Sequence, residues 1–328
     1  MNSIFPKKLK PGDHLRVIAP SRSLGLLGQE TISIANKRLQ KMGFELSFGK
    51  YVKEMDDFAS TTIEHRLADL HEAFADQSVD GILTVIGGFN SNQLLQHLDW
   101  AIIKNNPKVF CGYSDITALN NSIYTKTGLV TYSGPHYSTF GQKLNFEYTQ
   151  EYFEKILMSD QPIEIKPSSH WFDDMWWLNQ DERQAEKNTG YTVINPGTTN
   201  GTILGANLCT LNLLQGTEFM PDLTGAVVFV EDDDQTFPAL FDRDLQSLIH
   251  LPNFKNVKGL VIGRFQKKSQ MTAELLRQII KSKKELAHIP VIAEADFGHT
   301  DPKITLPIGG KVALSADQNG AKITFLEH

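Results

Sequence analysis

The segment Val109-Phe110-Cys111-Gly112-Tyr113-Ser114-Asp115-Ile116-Thr117-Ala118-Leu119 reads as a short apolar strand that stops at a serine and passes at once into a helix-like run reaching Lys126. A strand that turns directly into a helix is half of a βα unit, and the same alternation recurs on its N-terminal side. Val79 to Ile86 is a second apolar strand; it runs into Gly87-Gly88-Phe89-Asn90, where Asn90 or Ser91 is placed to cap a helix carrying Leu94, Leu95 and Leu98. Earlier, Thr61 and Glu64 form a capping-box pattern ahead of Leu67, Leu70, His71 and Phe74, which share one helical face, so His71 is expected to be a packing residue. Leu15 to Pro20 is the first strand, and a helix near Gln29 to Met42 ends before Gly43. From Leu15 to about Tyr132 the chain is expected to build α/β layers on a parallel sheet.

After a helix around Gln150 to Met158, residues 166–200 turn polar, irregular and aromatic, punctuated by Pro167, Gly190, Pro196 and Gly197. The domain junction is placed there. This gives an N-terminal α/β domain over 1–165, a linker with a tryptophan-rich loop over 166–200, and a C-terminal domain over 201–328. The last part is more mixed, with strands at Ala226 to Val230, Val257 to Gly263 and Val291 to Ala293, and a closing hairpin-like pair around Lys311 to Leu314 and Lys322 to Leu326.

Composition narrows the function classes. A chain of 328 residues with 41% hydrophobic and 21% charged content suits two globular domains. Its net charge of -6 is mild and no long basic run tracks a phosphate backbone, which argues against a nucleic-acid partner. Lys7, Lys8 and Lys10 are followed by Pro11-Gly12-Asp13 where an export signal would be apolar, and the longest apolar runs are too short to span a bilayer. With only Cys111 and Cys209, a reducing cytoplasm is the expected compartment. The two cysteines lack metal-ligand spacing, and Glu231 to Asp234 lacks the glycine-bearing calcium loop, so neither a metal nor a cofactor is expected.

Open α/β sheets place ligands at the carboxyl ends of their strands, which brings Gly87-Gly88 and Gly112-Tyr113-Ser114-Asp115 forward. At a strand-to-helix corner a serine hydroxyl projects away from the sheet, and the Asp115 amide leaves a helix N-terminus, where negative charge is stabilised. This is the arrangement of a nucleophile elbow. Ile116 stands where the second glycine of G-x-S-x-G would be, and a serine here also suits a plain N-cap. The Gly87-Gly88 pair is either a tight turn alone or a bare loop whose amide reaches a reacting carbonyl as second oxyanion donor. Among ten histidines His299, in Asp296-Phe297-Gly298-His299-Thr300-Asp301-Pro302, is the best-placed general base, with His136 in Ser133-Gly134-Pro135-His136 as its competitor. Glu231 ends the apolar strand Val227-Val228-Phe229-Val230 and is the candidate carboxylate for orienting the base. Its neighbours Asp232, Asp233 and Asp234 fit a solvated loop.

Taken in order, these motifs resemble the LD-carboxypeptidases, serine peptidases with a Ser-Glu-His triad that trim murein tetrapeptides and related amides. The resemblance runs through nearly the whole chain. It is carried by Pro11-Gly12-Asp13, Val17-Ile18-Ala19-Pro20-Ser21, Gly87-Gly88, Gly112-Tyr113-Ser114-Asp115 with Thr117, Gly205-Ala206-Asn207-Leu208, Phe229-Val230-Glu231-Asp232 and Phe297-Gly298-His299. It implies Ser114 as nucleophile, Glu231 and His299 as its partners, and the amides of Gly88 and Asp115 as the oxyanion hole. It also implies a flavodoxin-like parallel-sheet N-terminal domain, a smaller swivelling β/α C-terminal domain, and a homodimer. Ala206 stands where a second glycine is usual, a departure expected to be a minor packing difference.

Within that family, Gly88-Phe89-Asn90-Ser91-Asn92-Gln93-Leu94-Leu95 and the tryptophan-bearing insert are similar to the microcin C self-immunity branch, whose members hydrolyse the amide joining a C-terminal aspartate to a modified adenosine monophosphate. The expected substrate is thus a small aminoacyl- or peptidyl-adenylate amide. The alternatives are a murein tetrapeptide LD-carboxypeptidase and, outside the enzymes, a small-ligand binding protein. A class I amidotransferase-like enzyme would share the elbow but needs a cysteine nucleophile, and Cys111 falls three residues early, inside the strand.

Trp171, Trp176 and Trp177 bring three of the four tryptophans together in one polar loop. Such rings either plug the loop onto the domain junction or present a face on which a nucleobase stacks. With Phe89 and Asn207 they are the candidate substrate-contacting residues. Arg22, Arg264 and Lys303 are candidates for holding a free carboxylate, by charge and by nearness to the motif loops.

Overall fold

In strand β1 (His14–Ile18), Leu15, Val17 and Ile18 are fully buried while the half-buried Arg16 pairs with Asp76 at 3.1 Å. The computed structural model describes residues 3–328. Around β1 lie β2 (Glu45–Phe48), β3 (Gly81–Thr84), β4 (Val109–Cys111) and β5 (Thr131–Ser133), all parallel, in the order β2-β1-β3-β4-β5. That is the flavodoxin-like order, with its switch point between β1 and β3. β3, β4 and β5 are buried at every position, as strands covered on both faces must be. The helices of this half are α1 (Gln29–Lys41), α2 (Ile63–Ala75), α3 (Trp100–Asn105), α4 (Thr117–Thr127) and α5 (Glu147–Leu157).

Two boundaries differ from the sequence reading. Thr62, not Thr61, caps α2, accepting from the His65 amide at 3.3 Å, because Thr61 Oγ1 instead donates to Glu54 at 2.8 Å. The single helix expected after Asn90 is a 3-10 stretch, Ser91–His97, followed by a separate α3 capped by Asp99. His71 accepts from the Asp99 amide at 2.9 Å, a structural role.

The second half contributes β6 (Ile163–Ile165), a ribbon of β7 (His170–Trp171) with β8 (Glu186–Lys187), β9 (Thr192–Asn195), β10 (Gly197–Asn207), β11 (Ala226–Glu231), β12 (Gly259–Gly263), β13 (Val291–Ala295), β14 (Leu306–Ile308), β15 (Lys311–Asp317) and β16 (Gly320–Glu327). Its helices are α6 (Leu208–Asn212), α7 (Pro238–Ile249) and α8 (Ala273–Ser282). An eight-stranded sheet runs β6-β16-β15-β10-β11-β12-β13-β9, with β10 to β13 parallel to one another. The halves trade strands: β14 pairs antiparallel with β5 in the first sheet, and β6 pairs with β16 in the second. Helix α4 bolts them together, since Asn121 donates to Gly205 O at 2.8 Å and accepts from Gly205 N at 3.1 Å. Gly205 has φ +109, and a side chain there would meet Phe229 O at 2.1 Å. Among the described residues no helix is long and apolar enough to cross a membrane.

Candidate active site

The carboxyl ends of β1, β3, β4 and β5 deliver Ser21, Gly87-Gly88, Ser114 and His136 to one edge of the first sheet. Ser114 begins a 3-10 turn that leads into α4, and its φ of 60 is the left-handed value of a strained elbow, worth about 1–3 kcal/mol that the surroundings must hold. They do so by leaving no room elsewhere. A methyl on Gly112 would lie 2.0 Å from Thr84 Oγ1, and one on Gly87 would lie 2.9 Å from Ser114 Oγ. The Asp115 carboxylate then ties the turn to the elbow, accepting from Ser21 Oγ at 2.6 Å, Asn90 N at 3.0 Å and Ser91 N at 2.9 Å. It thereby caps the Ser91–His97 stretch from outside, the task the sequence suggested for Asn90 or Ser91. Among the described residues neither the Gly88 nor the Asp115 amide donates to a protein acceptor, so both are available to an incoming oxygen.

From the second half, β11 brings Glu231 and the loop after β13 brings His299. His299 Nε2 lies 2.9 Å from Ser114 Oγ, and Nδ1 lies 2.7 Å from Glu231 Oε2. A carboxylate only accepts, so Nδ1 donates and Nε2 is left to accept the serine hydrogen. Glycine makes this contact possible: at Gly298, with φ +98, a methyl would stand 2.3 Å from Glu231 Oε2, and at Gly263 one would stand 2.7 Å from Glu231 Cβ. Burial by itself would lower the His299 pKa. The charge and hydrogen bond of Glu231, helped by Asp233 and Asp232, outweigh it and hold the pKa above the ordinary histidine value. The ring of Tyr113 meets His299 edge-on at 5.5 Å and lies over His136 at 4.3 Å. His136, the competing base, is buried behind the elbow with Nδ1 2.8 Å from Thr84 Oγ1, so His299 and not His136 reaches the serine.

The remaining candidates divide. Arg264 and Lys303 are buried and already neutralised, Arg264 by Glu294 and Asp296, Lys303 by Asp301, which leaves neither to grip a substrate carboxylate. Arg22 forms no ion pair among the described residues and lies 4.9 Å from the ring centre of Phe89, which is exposed. Asn207 pairs in register with Glu231, but its side chain is buried, capping α6 through Thr210 N at 3.0 Å and contacting Asp232 at 3.4 Å. Asp232 is pushed up to about 7 by burial and by the charges of Glu231 and Asp233.

In the tryptophan-rich loop, Trp171 lies beneath Arg264 at 5.1 Å, whereas Trp176 and Trp177 meet edge-on at 5.8 Å near a tip where Trp177 is 57% exposed. The stem of the loop is anchored. Phe172 and Asp301 exchange backbone hydrogen bonds at 2.7 and 3.0 Å, and Arg183 spans Asp174 at 2.7 Å and Asp301 at 3.2 Å. The sequence reading missed this clamp, which ties the loop to the segment carrying His299. Arg183→Met removes an ion-pair partner from Asp174 and one of two from the buried Asp301, which keeps Lys303, and is expected to destabilise the protein by about 1.5–3 kcal/mol in urea denaturation. A loss under about 1 kcal/mol would mean the clamp is no better than a surface pair.

Residues 15–134 match the model of the LD-carboxypeptidase N-terminal domain, and residues 200–314 that of the LD-carboxypeptidase C-terminal domain. The chain is 49% identical over 325 residues to the "Putative carboxypeptidase YocD" of Bacillus subtilis (strain 168), covering 99% of this chain and 100% of the relative. It is 34% identical to the Escherichia coli "Microcin C7 self-immunity protein MccF" (87% and 86% covered). It is 30% identical to the Bacillus subtilis "Probable murein peptide carboxypeptidase" (97% and 93% covered). Among solved structures, an MccF-like protein from Bacillus anthracis str. Ames superposes with a TM-score of 0.98 at 51% identity, over 99% of this chain and 100% of that one. MccF in complex with aspartyl sulfamoyl adenosine superposes with a TM-score of 0.90 at 31% identity, over 99% of each chain. The chain therefore belongs to the LD-carboxypeptidase family and is a serine-type carboxypeptidase.

Proposed function

We propose that the protein hydrolyses an amide at the C-terminal end of a small peptide-like substrate with Ser114 as nucleophile, His299 as general base and Glu231 as the group that orients it, and that this substrate is a microcin C-type aminoacyl- or peptidyl-adenylate amide. The observation that carries the reading is the continuous run from Ser114 Oγ through His299 to Glu231, at 2.9 and 2.7 Å, on an elbow whose φ is 60. Ser114 Oγ attacks the carbonyl carbon as His299 Nε2 takes its proton, and the amides of Gly88 and Asp115 hold the oxygen that becomes negative. The imidazolium, stabilised by Glu231, returns the proton to the leaving nitrogen, and water then releases the acyl group by the same route.

Two features support a nucleotide-bearing substrate: the exposed Trp177 on a loop clamped to the His299 segment, and the likeness to a protein crystallised with aspartyl sulfamoyl adenosine. A base stacked on tryptophan contributes roughly 1–3 kcal/mol. Trp177→Ala is accordingly expected to cost roughly 5- to 150-fold in kcat/KM on aspartyl sulfamoyl adenosine and to leave a peptide without a base almost untouched. Purified protein assayed side by side on that compound and on murein tetrapeptide tests the assignment. Equal losses on both, with a lowered melting temperature, favour the second reading, a murein LD-carboxypeptidase, which the 30% identical relative supports. A cytoplasmic homodimer completes the proposal; sedimentation of the purified protein as a monomer would remove that part.

The pH dependence follows from the base. His299 must be neutral to accept the serine proton, and its pKa is held above the ordinary value of about 6.5. The acid limb of kcat/KM is expected to have its midpoint on the alkaline side of that value, and a limb below it would contradict the Glu231 contact. Stability runs the other way. A histidine pKa raised on folding stabilises fully below its unfolded value of about 6.5, and the contribution is lost as pH rises through the folded pKa.

A further inference from the structure

Arg22 leaves the loop after β1 between two buried serines and has no part in the reaction described above. The backbone on both sides of it is fixed. Ser21 Oγ donates to Asp115 at 2.6 Å, Ser60 Oγ donates to Ser21 O at 2.6 Å, and Ser23 N donates to Ala59 O at 2.9 Å. The Arg22 side chain itself is half-buried, and its stem runs along the bare Gly88, where a methyl would lie 2.9 Å from Arg22 Cγ and 3.5 Å from Cδ. Its guanidinium lies 4.9 Å from the ring centre of Phe89, which is exposed. Arg22 thus borders the residue whose amide is free to meet a reacting oxygen. A substrate carbonyl at that amide brings the atoms next to it within reach of the guanidinium.

The charge of Arg22 is not used by the protein. Among the described residues it meets no carboxylate, whereas Arg264 is paired with Glu294 and Asp296, Lys303 with Asp301, and Arg183 with Asp174 and Asp301. Arg66, behind the same loop, is buried and donates to Pro20 O at 3.2 Å, Asn90 O at 3.0 Å and Gln93 at 2.7 Å. The Asp115 carboxylate is buried and takes its hydrogen bonds from Ser21, Asn90 and Ser91, so it makes no demand on Arg22. A carboxypeptidase tells the end of a chain from its middle by the anion beyond the scissile nitrogen, and an unpaired cation at the mouth of the site supplies the matching charge.

We propose that Arg22 determines specificity for the leaving group, its guanidinium holding the oxyanion immediately beyond the scissile nitrogen. That oxyanion is the sulfonyl or phosphoryl group of an aminoacyl-nucleotide amide or the terminal carboxylate of a peptide, and the planar fork of N–H donors fits either. The proposal rests on the Ser114 reading, which puts the scissile carbonyl at the Gly88 amide. No bond or proton changes at Arg22. The anion is present before and after attack, so the contact acts on binding and is read in KM.

The test is steady-state kinetics on two substrate pairs, each with and without the anion. One pair is murein tetrapeptide and its C-terminal carboxamide; the other is aspartyl sulfamoyl adenosine and the aspartylamino analogue of adenosine that lacks the sulfamoyl group. On the ionic member, Arg22→Gln is expected to lower kcat/KM about 10- to 150-fold, mainly through KM, with kcat changed less than about threefold. On the neutral member the loss is expected to stay under about threefold. Arg22→Lys keeps the charge without the fork and is expected to recover at least about threefold of the loss. The pair on which Arg22→Gln loses its preference for the ionic member identifies the source of the anion. Equal losses on both members, no loss on either ionic member, or a wild type that does not prefer the ionic member would each overturn the proposal. Because the readout is a ratio between substrates, a general loss of folded protein cancels from it. Ser114→Ala keeps the two ideas apart: hydrolysis undiminished in that variant sinks the nucleophile assignment, whereas an unchanged ratio in Arg22→Gln sinks only the role of Arg22.

Discussion

Ser114→Ala and His299→Ala are each expected to lower kcat by about three or more orders of magnitude while leaving the fold intact, because members of a triad act as one unit. Ser114 is only partly buried and its hydroxyl faces His299, so losing one oxygen leaves the core untouched. The His299 side chain is 16% exposed and touches Tyr113 by its ring edge, so truncating it opens the cleft to water rather than a sealed cavity. What persists in both variants is the pair of free amides at Gly88 and Asp115, which sustains a residual rate roughly 10³–10⁴-fold above water in comparable enzymes. Single-turnover rates on aspartyl sulfamoyl adenosine, with melting temperatures as the folding control, measure the effect. Near-wild-type turnover in either variant would assign the chemistry to another nucleophile or another base.

The parts of this arrangement that could be read from residues are those set locally. Strand, bare glycine turn and helix around Ser114 follow from a few consecutive side chains, and Val227 to Glu231 is apolar up to its last residue. What escaped was set by distant partners. The single helix expected after Asn90 becomes a 3-10 stretch because its capping carboxylate, Asp115, comes from another loop. Three residues such as Leu306 to Ile308 carry no mark of which sheet they join; tertiary packing sends β14 across to β5. Arg264 and Lys303 looked free because charge does not reveal burial, although Asp301 stands only two residues from Lys303. In the tryptophan loop the aromatic cluster was visible, but its attachment through Arg183 pairs two residues far apart in the chain. Glu231 could be picked from the four consecutive acids by its place at the end of an apolar strand, but the close fit of Gly263 and Gly298 against its side chain could not.

Glu231→Gln is expected to lower kcat on the order of 10²-fold or more, and Asp232→Asn by less than about tenfold. Glu231 is 1% exposed and its Oε2 accepts from His299 Nδ1. A glutamine turned so that its amide NH2 faces Nδ1 would move the ring proton to Nε2, which then cannot accept from serine. Loss of the carboxylate charge also leaves burial opposed only by the weaker influence of Asp233 and Asp232, so the acid limb of kcat/KM is expected to shift to lower pH. Asp232 Oδ2 has no partner among the described residues, and Asp232 influences His299 only through space. Gly298→Ala provides an independent route to the same contact, since its methyl would stand 2.3 Å from Glu231 Oε2 on a backbone with φ +98. Its expected loss is comparable to that of Glu231→Gln. Two changes that break one contact do not add, so the double variant Glu231→Gln/Gly298→Ala is expected to be no slower than the worse single variant by more than about threefold. Losses that multiplied would show that Gly298 acts through something other than the carboxylate, such as the path of the loop that carries His299.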